Sequence, residues 1–155
     1  MSKITTVGIA GATGYAGQDL IRLAARHPGV RITTAMGSGE TEGIRSIPAL
    51  SRLWEGEVTP LSIEQLASKA EAVFLALPDS VAATIGPELI ERGVRVFDLS
   101  GAFRLQNQKQ RTRWYPATPT LTEPAVYGLT ELNRTALIDA RLIACPGCYP
   151  TAALL

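Results

Sequence analysis

The chain has 155 residues, of which 46% are hydrophobic and 19% are charged, a composition typical of one globular domain with a sizeable core. Its formal net charge of +1 gives no reason to expect nucleic acid or an anionic membrane as a partner. No apolar run is as long as a membrane span, and two cysteines are too few for a disulfide framework, so we expect a cytoplasmic protein.

A short apolar run containing Val7 and Ile9 meets a glycine series at Gly11, Gly14 and Gly17, an order that predicts a strand, a tight turn and a helix. We expect the first glycine to turn the chain, the second to let a ligand approach the backbone, and the third to let the helix pack on the strand. Unpaired N–H groups at such a helix start can bind a pyrophosphate. The Gly-x-x-Gly-x-x-Gly spacing is less specific than Gly-x-Gly-x-x-Gly, so a purely structural turn stays open as the alternative.

The next elements follow from periodicity and from breakers. A helix is predicted from about Tyr15 to Arg26, ended by the His-Pro-Gly at 27–29. Its predicted apolar face consists of Leu20, Leu23 and Ala24. Val30–Met36 reads as a second strand, and residues 44–60 have no clear period and predict a loop with short turns. Ser62 is a candidate N-cap for a short helix, with Gln65 at the capping-box position.

The second half of the chain alternates strands and helices. The continuous apolar run Ala72–Leu77, ended by a proline, is typical of a strand buried on both faces of a parallel sheet. The elements predicted after it are a helix at 80–91, a strand at 94–99, a surface excursion at 106–122, a helix at 132–140 and a strand at 142–144. This alternation predicts an α/β fold with a doubly wound, mostly parallel sheet.

Ligands of such sheets collect at the carboxyl ends of the strands. Five predicted strand ends carry small, polar or reactive residues, namely Gly11-Ala12-Thr13, Gly37-Ser38, Pro78-Asp79, Ser100-Gly101 and Pro146-Gly147-Cys148. We therefore expect one rim of the sheet to hold the functional site.

Cys148 follows the last predicted strand and precedes a helix whose first turn contains Pro150. The positive end of a helix dipole favours the nucleophilic thiolate, whereas an inert buried cysteine is the structural alternative. Cys145 and Cys148 also form a Cys-x-x-Cys, so a redox dithiol remains a further alternative. Zinc would need more ligands than the chain offers, because His27 is its only histidine, and no metal site is predicted. His27 lies at the far end of the first helix, too far from the glycine turn to act there as a base.

Five segments carry a resemblance to a known family. They are Gly-Ala-Thr-Gly-Tyr-Ala-Gly at 11–17, Phe-Leu-Ala-Leu-Pro at 74–78, Phe-Asp-Leu-Ser-Gly-Ala-Phe-Arg-Leu at 97–105, Ala-Val-Tyr-Gly-Leu at 125–129 and Pro-Gly-Cys-Tyr-Pro-Thr at 146–151. On these motifs the sequence resembles the N-acetyl-gamma-glutamyl-phosphate reductases of the semialdehyde dehydrogenase superfamily. The resemblance covers essentially the whole chain but only the N-terminal half of the family's length. The segment 146–151 is the most specific, since the related aspartate-semialdehyde dehydrogenases place Asn before the cysteine and lack the Tyr-Pro after it.

The resemblance implies a Rossmann-type NADP-binding domain over residues 1–155, ending at the helix of the catalytic cysteine. It implies an enzyme of arginine biosynthesis in which Cys148 attacks the acyl phosphate of N-acetyl-glutamyl 5-phosphate and releases phosphate. The resulting thioester would be reduced by NADPH to N-acetyl-glutamate 5-semialdehyde. A substrate and dimerisation domain, with the histidine that serves as general base, is expected beyond residue 155. The full-length protein is therefore expected to be a homo-oligomer, and this chain alone is expected to have negligible turnover.

The same resemblance assigns the site residues. The cofactor-binding residues would be Gly11, Thr13, Gly14, Tyr15, Ala16, Ser38, Pro78, Ser100 and Gly101. Arg104 and Tyr149 are candidates for substrate binding, although a salt bridge between elements is an equal alternative for Arg104. No acidic residue ends the second strand at Met36–Ser38, which favours NADP over NAD.

Two positions depart from the family pattern. Many relatives have Arg after the serine near 38 and His after the proline near 78, where this chain has Gly39 and Asp79. Two alternative functions stay open: a stand-alone dinucleotide-binding module without turnover, and a reductase of the related aminoadipyl phosphate.

Overall fold

The computed structural model describes residues 3–38, 43–121 and 124–155. The strands are β1 (Thr5–Ala10), β2 (Val30–Met36), β3 (Val58–Thr59), β4 (Ala72–Leu75), β5 (Arg95–Asp98), β6 (Val126–Tyr127) and β7 (Leu142–Ala144). The helices are α1 (Tyr15–Ala24), α2 (Ile63–Lys69), α3 (Asp79–Glu91), α4 (Gln108–Trp114), α5 (Thr130–Asp139) and α6 (Cys148–Leu154), with a 3-10 turn at Pro48–Leu50.

All seven strands lie in one sheet, in the order β3-β2-β1-β4-β5-β7-β6, and every neighbouring pair is parallel. The chain builds outward from β1 through β2 and β3, then returns to β4 and builds in the other direction. The predicted doubly wound α/β fold is therefore confirmed. The junction of β1 and β4 is the topological switch point, beside which open α/β sheets bind their ligands.

The core covers both faces of the sheet. In β4, Val73 and Leu75 belong to one buried cluster, whereas Phe74 between them packs against a second cluster that contains Ile9 and Ile21. Successive strand side chains point to opposite faces, so the two clusters lie on opposite sides. The prediction that the apolar run beginning at Ala72 forms a strand buried on both faces is therefore confirmed. Packing on both faces supports the carboxyl rim of the sheet.

The first helix begins at Tyr15 as predicted, but its buried face differs from the expectation. Its buried residues are Gly17 and Ile21, whereas Leu23 is 69% exposed, so the placement of Leu23 on the apolar face is wrong. Gly17 is pressed against the turn below it, and Ile21 lies about one turn further along the same side. Leu23 is about 200° around the helix from Ile21 and must face solvent.

Three elements were not expected from the sequence. Helix α4 interrupts the predicted surface excursion; the Asn107 side chain caps it by accepting a hydrogen bond from the N–H of Gln110 at 3.1 Å, and Arg111 is buried in it. Strands β3 and β6 have two residues each, too few for a period to be visible.

The predicted cap of α2 is confirmed, because Ser62 Oγ accepts from the N–H of Gln65 at 3.3 Å. Within the described ranges, no helix is long and apolar enough to cross a membrane.

Candidate functional site

Gly11 turns the chain directly after β1. Its φ is 86°, a left-handed conformation that favours glycine, and a Cβ there would lie 2.1 Å from the carbonyl oxygen of Ala76. The N–H groups of Gly11 and Ala12 both donate to the carbonyl of Met36, at 2.9 and 2.8 Å. The turn is thus wedged between the ends of β2 and β4, beside the switch point.

Gly17 and Gly14 play different parts in the same turn. A Cβ on Gly17 would lie 2.1 Å from the carbonyl oxygen of Gly11, whereas a Cβ on Gly14 would meet nothing nearer than 3.5 Å. Close packing of α1 on the turn therefore requires glycine at position 17. The protein's own packing does not require it at position 14, which is exposed and open to a ligand.

The predicted pyrophosphate-binding residues come together at the start of α1. The Gln18 side chain donates to the carbonyl of Thr13 at 2.9 Å and fixes the turn. Tyr15 and Ala16 are exposed, and their N–H groups have no acceptor within the helix because they belong to its first turn. No acidic residue lies in that turn. Free N–H donors at the positive end of a helix dipole form a cradle suited to an anion.

The next two strand ends are joined by Asp79. Pro78 caps α3, and Oδ1 of Asp79 accepts a hydrogen bond from the N–H of Gly101 at 2.6 Å. A Cβ on Gly101 would lie 2.3 Å from the ring of Tyr115, so this glycine also lets the ring pack on the loop. The Asp79 carboxylate thus ties the β4 end to the β5 end.

Ser100 is held from beneath by Asp98, which has no exposed surface. The carboxylate of Asp98 accepts from the Ser100 N–H at 3.0 Å and from its hydroxyl at 2.8 Å, and the Ser100 hydroxyl oxygen accepts from the Ala102 N–H at 3.1 Å. Burial raises the pKa of Asp98 above its ordinary value, although the hydrogen bonds from Ser100 act in the opposite direction. Ser100 therefore lies at the predicted rim but uses its N–H and hydroxyl within the protein.

The two cysteines have different environments. Cys148 is exposed, whereas Cys145 is partly buried and its N–H donates to the carbonyl of Asp98 at 2.8 Å. Burial raises the pKa of the Cys145 thiol to about 11. Gly147 is the N-cap of α6, and Cys148 is the first residue of that helix. Cys148 is therefore the thiol open to a substrate.

Arg104 contacts the backbone on both sides of the cysteine turn. Its Nε donates to the carbonyl of Cys145 at 2.8 Å and its Nη2 to the carbonyl of Leu99 at 2.7 Å. A Cβ on Gly147 would lie 3.0 Å from Nη1. Within the described ranges, no salt bridge to a carboxylate holds this guanidinium.

The remaining predicted residues occupy the same rim or its edge. Ser38 follows β2 and is exposed, while its neighbour Gly39 lies outside the described residues. Tyr149 is 86% exposed next to Cys148. His27 is at the opposite end of α1, where its Nδ1 accepts from the N–H of Gly29 at 3.1 Å.

A cavity between the start of α3 and the end of α4 was not foreseen from the sequence. It measures about 340 Å³ and is lined by Pro78, Asp79, Ser80, Trp114, Tyr115, Pro116, Ala117 and Thr118. Helix α4 delivers the aromatic pair to it. The sequence analysis missed Trp114 and Tyr115 because it did not predict α4, whose mostly polar sequence shows no apolar period.

The glycine turn and the cysteine turn are separated by the ends of β4 and β5. Three strand spacings of about 4.8 Å place them about 14 Å apart along the rim. A ligand anchored at the glycine turn reaches Cys148 only if it extends across both intervening strand ends. An extended dinucleotide meets that requirement, and a mononucleotide phosphate alone does not.

The comparisons with known proteins agree with this geometry. The family described as "Semialdehyde dehydrogenase, NAD binding domain" matches residues 6–140, a range that ends before both cysteines. An N-acetyl-gamma-glutamyl-phosphate reductase of Brevibacillus brevis is 46% identical over 96% of this chain and 44% of its own length. The corresponding protein of Halorhodospira halophila is 45% identical over the same shares. The chain thus spans less than half the length of these relatives.

Solved structures support the fold. Aspartate semialdehyde dehydrogenase II of Vibrio cholerae superposes with a TM-score of 0.69, at 20% identity over 98% of this chain and 44% of that one. The aspartate semialdehyde dehydrogenase of Candida albicans, solved with NADP, gives a TM-score of 0.62 at 19% identity, over 98% of this chain and 45% of that one. Since the family match covers most of the chain, the protein belongs to the semialdehyde dehydrogenase family through its NAD-binding domain.

Proposed function

We propose that this chain is the cofactor-binding part of an NADPH-dependent N-acetyl-gamma-glutamyl-phosphate reductase. The observation that carries the proposal is the rim itself, where an open anion cradle at Gly14 and an exposed thiol at Cys148 follow strands three positions apart in the sheet, a span of about 14 Å. The names of relatives 45–46% identical supply the substrate, N-acetyl-glutamyl 5-phosphate. We place the protein in the cytoplasm, because its reducing conditions keep two free cysteines such as these reduced.

The residues at the turn fit a dinucleotide. The cradle at Gly11, Thr13, Gly14, Tyr15 and Ala16 presents the free N–H groups of Tyr15 and Ala16 and no acidic side chain, so we assign the pyrophosphate to it. Bound there, the nicotinamide cofactor supplies a hydride. Pro78, Ser100 and Gly101 would line the path of the cofactor along the rim. The N–H groups of Ser100 and Gly101 already donate to Asp98 and Asp79, so these two residues would contact the cofactor through their surface rather than through N–H donors.

The choice of NADP over NAD rests on the end of β2. Strand β2 ends at Met36, and Ser38 is exposed directly after it. An acidic side chain at this place would repel a 2′-phosphate, and none stands at Met36–Ser38. Ser38 is the described residue that we assign to the adenosine ribose and its phosphate.

Cys148 would act as the nucleophile. Its thiolate attacks the acyl carbon, a C–S bond forms, the C–O bond to the phosphate group breaks, and phosphate leaves. The chain would then hold the acyl group as a thioester at the first residue of α6, beside the exposed Tyr149, which we assign to the substrate. Splitting the reduction into two easier steps is what covalent catalysis contributes.

An imidazole base must come from elsewhere, because the only histidine, His27, lies at the far end of α1. The chain covers 44% of the first relatives' lengths. We propose that the base, the rest of the substrate pocket and the contacts of a homo-oligomer belong to a second domain outside these 155 residues. The isolated chain is then expected to bind cofactor without turnover.

The test uses the full-length product of the reading frame that encodes this chain. N-acetyl-glutamate 5-semialdehyde, phosphate and NADP are supplied, and NADPH formation is followed. Cys148→Ser is expected to lower kcat by about 1,000-fold or more, and Cys145→Ser serves as the matched control with activity near that of the unmodified protein. Normal turnover of Cys148→Ser would refute the nucleophile assignment. Turnover of the aminoadipyl substrate alone would refute the substrate assignment.

A further inference from the structure

Arg104 links two strand ends that the sequence does not connect. Its guanidinium donates to the carbonyl of Leu99, at the end of β5, and to the carbonyl of Cys145, at the end of β7. The second bond spans 41 residues of sequence. Two of the three guanidinium nitrogens are therefore used by the backbone, and the third lies against Gly147.

We propose that Arg104 is a positioning residue that holds the turn carrying Cys148 against the end of β5. The proposal rests on the function above, in which Cys148 is the nucleophile. The tethered carbonyl belongs to Cys145, and Gly147, which packs against Nη1, is the N-cap of the helix that begins at the nucleophile.

The planar fork of arginine is suited to this task. Two parallel donors fixed in one plane define the separation and the orientation of the two carbonyls, whereas a lysine ammonium is a point donor. The second tie between these strand ends, from the Cys145 N–H to the Asp98 carbonyl at 2.8 Å, lies beneath it. The charge of Arg104 also acts to lower the pKa of the buried Asp98, so the two side chains attract each other.

Arg104 thus has a structural task in addition to any contact with a substrate. Two of its five N–H donors are held by backbone carbonyls, and the positioning role rests on those two bonds. A misplacement of a reacting group by about 1 Å can cost about 100-fold in rate. Loss of the tether should therefore lower kcat rather than raise KM.

Arg95 provides a matched control. It lies at the opposite end of the same sheet in β5, is partly buried, and its Nη2 also donates to a distant backbone carbonyl, that of Leu137. Arg95→Met removes an arginine–carbonyl tether without touching the rim. Arg104→Met and Arg95→Met should thus lose comparable thermal stability.

Two readouts separate positioning from general destabilisation. In the full-length product, Arg104→Met is expected to lower kcat about 100-fold with the Kd for NADPH within about threefold, while Arg95→Met leaves kcat unchanged. In the 155-residue chain, iodoacetamide labelling resolved by peptide mass spectrometry should show Cys145 reacting about tenfold faster or more in Arg104→Met only. Arg104→Lys is expected to recover part of the loss and to serve if the methionine variant fails to fold.

Three outcomes would overturn the proposal. These are a kcat for Arg104→Met and Arg104→Lys close to that of the unmodified protein, an equal kcat loss in Arg95→Met, or a rise in the KM for the acyl phosphate alone with Cys145 still protected. The labelling readout needs no turnover. A full-length protein that fails as a reductase therefore refutes the proposed function, while labelling still decides whether Arg104 holds the cysteine turn.

Discussion

The contrast between Gly17 and Gly14 gives the sharpest prediction. A Cβ on Gly17 would lie 2.1 Å from the carbonyl oxygen of Gly11 and 2.7 Å from Cα of Ala12, and both obstacles are backbone atoms that cannot rotate away. Overpacking of this kind costs about 3 kcal/mol, and the better helix propensity of alanine offsets about 1 kcal/mol. Gly17→Ala should therefore destabilise the protein by about 2 kcal/mol, because the turn or the helix must shift.

Thermal unfolding followed by circular dichroism measures this effect. In a protein of this size 2 kcal/mol corresponds to a Tm lower by about 4–8 °C. Gly14→Ala is the matched control, since its Cβ would meet nothing nearer than 3.5 Å, and its Tm should stay within about 2 °C. The same control should weaken NADPH binding about tenfold, equivalent to about 1.4 kcal/mol, if the ligand approaches this position. Equal Tm losses in the two variants, or none in Gly17→Ala, would refute the packing argument.

Three further predictions concern the carboxyl rim. Because burial raises the pKa of Asp98, the folded state holds the proton of this carboxyl more tightly than the unfolded state does. The free energy of unfolding should therefore fall as pH rises from about 4 to the folded pKa, by at most about 1.4 kcal/mol per pH unit. Urea unfolding across this range should show a weaker dependence of this free energy on pH in Asp98→Asn. At pH 8 iodoacetamide should label Cys148 and spare Cys145, since a pKa of about 11 leaves about one thiolate in a thousand. Asp79→Ala should lower Tm by about 2–4 °C through loss of the bond to Gly101, measured by calorimetry, and Asp79→Asn should retain about half of it.

Each of these has a clear contrary result. An identical pH slope in the asparagine variant would show that Asp98 does not control the acid-side stability. Equal labelling of both cysteines in the folded chain would contradict the burial of the Cys145 thiol. An unchanged Tm in Asp79→Ala would mean that the bond between the β4 and β5 ends contributes nothing measurable.

Much of the fold followed from local patterns. Each of three elements carries its signal within a few residues. Strand β4 is an apolar run and strand β2 is rich in β-branched residues. The cap of α2 shows as Ser62 three positions before Gln65. Parallel pairing then brings the strand ends to one rim without further information. The glycine turn was visible in the sequence because contacts under 3 Å require glycine at positions 11 and 17.

The features missed depend on contacts distant in sequence. The burial of Ile21 in place of Leu23 follows from the way Gly17 seats α1 on the turn, which a periodic pattern cannot distinguish. The bond from Asp79 to Gly101 spans 22 residues and the bond from Arg104 to Cys145 spans 41. The bonds from Arg104 to the two backbone carbonyls had no local signal in the sequence, and its predicted contact with substrate stays a prediction.

Titration of the 155-residue chain with NADPH, followed by calorimetry, tests the proposed cofactor site most directly. It requires neither the substrate nor the residues outside the chain. Saturable one-to-one binding with a Kd below about 1 mM, weakened at least about tenfold in Gly14→Ala, is the expected result. Absence of saturable binding by the folded chain, or binding unaffected by the change at Gly14, would contradict the assignment of the glycine turn as the dinucleotide site.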